Sequence, residues 1–190
     1  MRKSKRTAIL DAIADIIERD GVTAVTFDAV AAETGLTRGG LLYHFPSREE
    51  LILATHKHNA EMWEKEMKRL AGKDADEAAP AERHAAYIET CAEAAKRVEL
   101  LLMLESAKDL ELGTLWREIV DRWAPPVPDS DDPDAISSFI ARLAADGLWI
   151  HEVLSSRPLP DVLKRRIIRE LSGLANAVDS SSSQAHRERR

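Results

Sequence analysis

A chain of 190 residues that is 44% hydrophobic and 32% charged, with a net charge of −6, is long enough to bury a core and has the composition of a folded globular protein. Charged residues interrupt every apolar run short of the ~20 residues that a bilayer-spanning helix needs, and a single cysteine, Cys91, excludes an internal disulfide. The acidic total does not exclude a nucleic-acid partner, because the first fifty residues hold 7 Lys and Arg against 8 Asp and Glu, and Arg2, Lys3, Lys5 and Arg6 form a basic arm without acid.

That arm runs into a charged amphipathic segment, with no uninterrupted apolar stretch and no small-residue cleavage site, so a cytoplasmic location is the expectation. Ile9, Ile13, Ile16 and Ile17 recur at helical spacing and predict a first helix over 5–20, capped by Ser4 and stopped by Gly21. Residues 22–25 are a β-branched link too short for a paired strand. Thr26 caps a second helix over 27–34, with Asp28 in its first turn and Phe27, Val30 and Ala31 facing inward. Gly35 ends that helix, Leu36 fills the turn, and Thr37 caps a third helix that runs only from Arg38 to about His44. Two short helices joined by a tight glycine turn make a helix-turn-helix. Pro46 stops the third helix, and Ser47 with Glu50 makes an S-x-x-E capping box that opens a fourth, reaching to about Leu70.

After the polar break at 71–80 the pattern stays helical, so the fold class is all-α. Tyr87, Ile88, Cys91 and Ala92 line one face; the run 100–104 is apolar on nearly all sides and predicts an enclosed helix; Trp116, Ile119, Val120 and Trp123 mark another face. A proline-rich acidic link, 124–133, precedes a long helix from Pro133 to about Ser155, and a last helix runs from about Pro160 to Ala177. The tail DSSSSQAHRERR, 179–190, has the composition of a disordered segment.

Gly39 and Gly40 weaken the third helix by roughly 1 kcal/mol each relative to alanine. What they provide is a helix start without side-chain bulk, able to approach DNA in a groove. Thr37, Tyr43 and His44, at its two ends, offer hydroxyl and imidazole groups to phosphate oxygens. Arg38 reaches either a guanine edge or a phosphate, and Arg48 meets a phosphate from the start of the fourth helix. Lys3 and Lys5 from the basic arm and Thr26 at the second cap complete the candidate DNA contacts. No G-x-G-x-x-G, P-loop, paired-cysteine metal set or G-x-S-x-G elbow occurs, and His56 and His58 lie two apart on different faces of a helix. No catalytic role, cofactor or metal is expected.

The segment TRGGLLYHFPSREEL resembles the DNA-binding domain of the tetracycline-repressor family of bacterial transcriptional regulators, and the likeness covers about the first fifty residues. The resemblance implies a DNA-binding domain over 1–46, a helical ligand-binding and dimerisation domain over 47–178, and the tail 179–190. It further implies a homodimer formed through the last two long helices, a double-stranded operator DNA and a small-molecule inducer that relieves repression. The chain departs from many relatives in carrying Arg48 where they have lysine, and Gly39 and Gly40 where they often have hydroxyl or bulky residues. Base reading then falls to Thr37, Arg38, the N-terminal arm and DNA shape.

The C-terminal half is also similar to multidrug-responsive members that control efflux pumps, through ELLLMLESA, LWREIVDRW and AADGLWIHEVL. That similarity implies a pocket for hydrophobic or cationic ligands, with Trp63, Trp116, Trp123 and Trp149 offering aromatic faces, Glu105 balancing a positive charge, and Leu100, Leu101 and Met103 as apolar lining. Residues of these types at helical spacing are equally the marks of a core. Two other readings stay open: an architectural DNA binder without a ligand, which calls for basic charge over the whole chain, and a helical interaction module or enzyme with a vestigial helix-turn-helix.

Overall fold

Local chemistry places the first three helices where the caps predict them. The computed structural model describes residues 4–94 and 96–175; Lys3 and the tail 179–190 lie outside the described residues. Among these residues are nine α-helices, one 3-10 turn at Val22–Ala24 and no strand. The helices are α1 Lys5–Asp20, α2 Phe27–Thr34, α3 Arg38–His44, α4 Arg48–Ala71, α5 Pro80–Glu93, α6 Arg97–Ser106, α7 Leu110–Trp123, α8 Pro133–Leu154 and α9 Asp161–Ala175. Ser4, Thr26 and Thr37 each accept a hydrogen bond from the backbone N–H three residues on, at 3.0, 3.1 and 3.1 Å. Gly35 closes α2 in the left-handed region (φ 69°), which a residue with a Cβ enters only under strain. No helix among the described residues is long and apolar enough to cross a membrane.

The described residues form two compact units, one of 4–62 with 96–117, the other of 63–94 with 118–175. In the first, Ile9, Ile13, Ile16 and Ile17 of α1 are buried with Val30, Leu41, Phe45 and Leu51. Polar side chains fasten α1 to three other helices. Arg6 Nη1 donates to the His44 carbonyl at the end of α3 (2.9 Å), and its guanidinium lies 4.4 Å from the Phe45 ring centre. His58 Nε2 of α4 meets Asp11 Oδ1 at 2.9 Å. Glu18 accepts the Val98 N–H at the start of α6 (2.7 Å), and Arg97 Nη1 donates to the Glu18 carbonyl (3.0 Å).

The expectation that 100–104 is enclosed on nearly all sides is corrected. Val98, Leu102 and Ser106 are buried, whereas Leu104 is 61% exposed and Leu100, Leu101 and Met103 are half-buried. A consecutive apolar run occupies every azimuth of a helix, but packing buries the stripe at four-residue spacing.

In the second unit α5, α8 and α9 pack on one another. Pro80 and Pro133 open α5 and α8, where Glu82 accepts the Ala79 N–H (2.9 Å) and Asp132 accepts the Ala135 N–H (3.3 Å). Ser138 Oγ donates to the Ala175 carbonyl (2.9 Å), joining α8 to the end of α9. Ser138, Ala141, Ala145 and Leu148 face inward, while Ile136, Ile140, Leu143, Gly147, Ile150 and Leu154, at alternating steps of four and three residues, form an exposed stripe. Val162, Leu163 and Leu174 of α9 are exposed as well.

Candidate nucleic-acid interface and buried aromatic clusters

The third helix buries Leu41 and turns its other side outward. Thr37, Arg38, Gly39 and Tyr43 are exposed, Tyr43 at 85%, while Gly40 and His44 are half-buried. Lys5 and Thr26 are exposed too. Thr26 and Thr37 spend an oxygen lone pair on their helix caps, yet a hydroxyl hydrogen remains on each to donate to a phosphate. Arg38 Nη1 lies 3.1 Å from Asp28 Oδ1 in an exposed pair, an attachment worth about 0–1 kcal/mol and therefore easily released. The Tyr43 and His44 rings meet edge to face at 5.2 Å.

Arg48 has a partner that the sequence does not reveal. Its Nε donates to the Val25 carbonyl (3.0 Å) and its Nη2 to the Val22 carbonyl (3.4 Å), so it braces the 3-10 turn that leads into α2. Removing both hydrogen bonds costs about 1–3 kcal/mol of stability. Arg48→Ala is accordingly expected to lower the melting temperature, and to weaken binding to every DNA sequence. Affinity measured from low to moderate salt separates the two roles: a bracing residue leaves the slope of log affinity against log salt unchanged, whereas a phosphate contact flattens it by about one.

The residues predicted for ligand binding divide between the units. Leu100, Leu101, Met103, Glu105 and Trp116 belong to the first, and Trp63, Trp123 and Trp149 to the second. In the second, the Trp63 and Trp149 rings stack at 5.9 Å and Tyr87 stands edge-on to Trp63 at 5.8 Å. The Tyr87 hydroxyl donates to Asp146 Oδ1 at 2.5 Å. Burial pushes the Asp146 carboxyl above the usual carboxylate range, opposed by the Tyr87 hydrogen bond and the Arg142 charge. Trp123 is fully enclosed and donates to Glu64 Oε1 (3.1 Å). Glu105 lies beside Lys108 at 3.4 Å. A groove of about 430 Å³ in the same unit as the stacked tryptophans, lined by Pro80, Arg83, His84, Val127 and Asp132 among others, contains none of the predicted ligand residues.

Trp116, in the first unit, donates from Nε1 to His56 Nδ1 at 3.0 Å, and His56 is fully buried. Burial lowers the His56 pKa from 6.5 to about 4, against the pull of Glu105 and Asp109. The folded state therefore holds a neutral imidazole while the unfolded chain takes up a proton below pH 6.5. This stability is fully present above pH 6.5 and is lost as pH falls through 6.5 toward 4. A shift of this size corresponds to about 3 kcal/mol. His56→Gln, which still offers Trp116 an acceptor and does not titrate, is expected to remove that share of the acid sensitivity. Denaturant unfolding of both proteins at about pH 7 and about pH 4 measures it; parallel losses would mean that His56 is protonated in the fold.

A short helix held outward by two supporting helices is the arrangement of helix-turn-helix DNA-binding proteins. The chain belongs to the TetR family of bacterial transcriptional regulators: the family described as "Bacterial regulatory proteins, tetR family" matches residues 9–55, and "Tetracyclin repressor-like, C-terminal domain" matches residues 81–176. The chain is 33% identical over 63 residues to the HTH-type transcriptional regulator TtgW of Pseudomonas putida, a match covering 32% of this chain and 47% of that one, so it spans about half the length of this relative. In fold it is similar to a transcriptional regulator from Saccharomonospora viridis in complex with choline, with a TM-score of 0.67, 20% identity, and coverage of 90% of this chain and 95% of that one. It is also similar to the multidrug binding protein EbrR complexed with malachite green, with a TM-score of 0.58, 19% identity, and coverage of 89% and 98%. At such identities the two structures establish the fold.

Proposed function

We propose that this regulator is a homodimeric repressor that holds a double-stranded operator through α3 of each protomer and is released by a small hydrophobic or cationic inducer. In this reading 1–46 is the DNA-binding domain and 47–178 the ligand-binding and dimerisation domain, acting in the cytoplasm. The observation that carries it is the outward face of α3, where Thr37, Arg38, Gly39 and Tyr43 are open to solvent on a helix whose Leu41 is fully buried. The exposed stripes of α8 and α9 support the dimer, since apolar rows at seven-residue spacing are the surfaces that helices bury against one another. Trp63, Tyr87 and Trp149, with the Asp146 carboxylate close by, supply the aromatic faces and negative charge that attract a lipophilic cation. Choline and malachite green, bound by the two similar proteins, are both organic cations. Control of a multidrug efflux gene is the output we assign.

In a dimer the two recognition helices enter successive turns of one DNA face, ~34 Å apart. An inducer that shifts α4 alters that spacing, and a thousandfold loss of operator affinity requires ~4 kcal/mol of preference for the shifted state. A gel-shift titration against DNA upstream of the protein's own gene, with malachite green as the probe, tests the reading. Retardation that the dye abolishes supports it. Retardation that the dye leaves intact makes the protein a DNA binder without small-molecule control, and the absence of retardation at moderate salt leaves a helical interaction module.

A further inference from the structure

The two ring nitrogens of His56 meet different fates. Trp116 carries only a donor N–H, so its 3.0 Å contact with Nδ1 requires that Nδ1 be unprotonated and accept. In the neutral imidazole the proton then sits on Nε2. That Nε2–H is buried and has no hydrogen-bond partner among the described residues. A buried donor without an acceptor is destabilising. The Trp116 contact accounts for Nδ1 and leaves the Nε2–H without an acceptor among the described residues of the first unit.

We propose that His56 Nε2–H is the recognition donor for an uncharged oxygen acceptor, a ketone, ester or amide carbonyl, on a small molecule bound against α4 within the unit of 4–62 and 96–117. The inference deepens the ligand-responsive reading above and rests on it. The field around the ring selects the charge state. Glu105 and Asp109 both act on the imidazole through their negative charge, which repels an anionic acceptor. Asp109 is held in place because its Oδ1 accepts the Glu111 and Leu112 N–H groups at the start of α7 (2.9 and 3.2 Å). A metal ion is not the occupant, because it needs a lone pair on Nε2 and the Trp116 contact leaves a proton there. The carbonyl completes a chain of two hydrogen bonds, Trp116 to His56 to ligand, each polarising the next.

The test compares benzophenone with diphenylmethane, a pair of similar shape in which only one has a carbonyl, by isothermal calorimetry on the full chain. The wild type is expected to bind benzophenone about tenfold more tightly, the effect of satisfying one buried donor. His56→Leu is expected to bind the two alike. His56→Gln, which keeps an acceptor for Trp116 and an N–H donor, is expected to recover most of the preference. Should His56→Leu fail to fold, the ¹⁵N shift of His56 Nε2 in the wild type decides: it moves on adding benzophenone and not on adding diphenylmethane. Equal affinities in the wild type, a preference surviving in His56→Leu, an Nε2 shift indifferent to benzophenone, or no saturable benzophenone binding would each overturn the assignment. Gel shifts run in parallel keep the two ideas separable. A His56-dependent preference without DNA release sinks the repressor reading and leaves this site standing; dye-induced release without the preference does the reverse.

Discussion

Gly39→Ala is expected to melt higher than the wild type while binding operator DNA about tenfold more weakly, a loss of ~1.4 kcal/mol. Nothing within the fold requires glycine at this position. Its φ is not positive, and a Cβ built there meets no atom within 4 Å. Alanine removes conformational freedom from the unfolded chain and favours the helix, together worth about 0.4–1 kcal/mol, or a few degrees of melting temperature in a chain of this size. Under the proposed function, the glycine serves a surface outside the molecule, a duplex approaching the start of α3. Gly40 is the less informative neighbour, because its Cβ would come within 3.3 Å of Thr37 Oγ1 and disturb the cap itself. Thermal melts followed by circular dichroism and gel shifts on the same preparation measure both effects. Full affinity in Gly39→Ala would show that the helix start stands clear of the DNA.

Leu143→Glu is expected to separate the protein into monomers and to lower operator affinity at least a hundredfold. Leu143 lies mid-stripe on α8 and is 53% exposed in the protomer, so a carboxylate there is solvated when the chain is alone and the fold is left intact. In a dimer joined through this stripe each copy would bury a charge without a partner, at a cost of about 3–5 kcal/mol. Loss of the dimer leaves one recognition helix and one half-site. Sedimentation velocity reports the assembly and a gel shift the affinity. A Leu143→Glu protein that remains dimeric would place the contact on another face.

What was legible in the sequence was what neighbours in the chain decide. Ser4, Thr26 and Thr37 announce α1, α2 and α3 because a cap bonds to a backbone N–H only three residues away, and Gly35 marks a turn that its own φ requires. The interior of the second unit was not legible in this way. Tyr87 and Asp146 are 59 residues apart, and no periodicity links them. Glu105 lies beside Lys108, three residues on, whereas the Asp146 carboxyl that burial pushes upward accepts from Tyr87. Sequence spacing pairs His56 with His58, but burial keeps its ring neutral and Trp116, 60 residues onward, sets its tautomer. Arg48 looked like a phosphate contact, and its carbonyl partners lie 23 and 26 residues back.

The first helix is moored at two points, Asp11 to α4 and Glu18 to the start of α6. Displacing α6 along its axis must either drag α1 with it or break a charge-assisted hydrogen bond worth about 1.5–3 kcal/mol. With Arg6 clamping α3 to the same helix, a displacement of α6 that leaves these bonds intact would carry α1 and α3 together, and unequal pull at the two tethers would twist them as well as translate them.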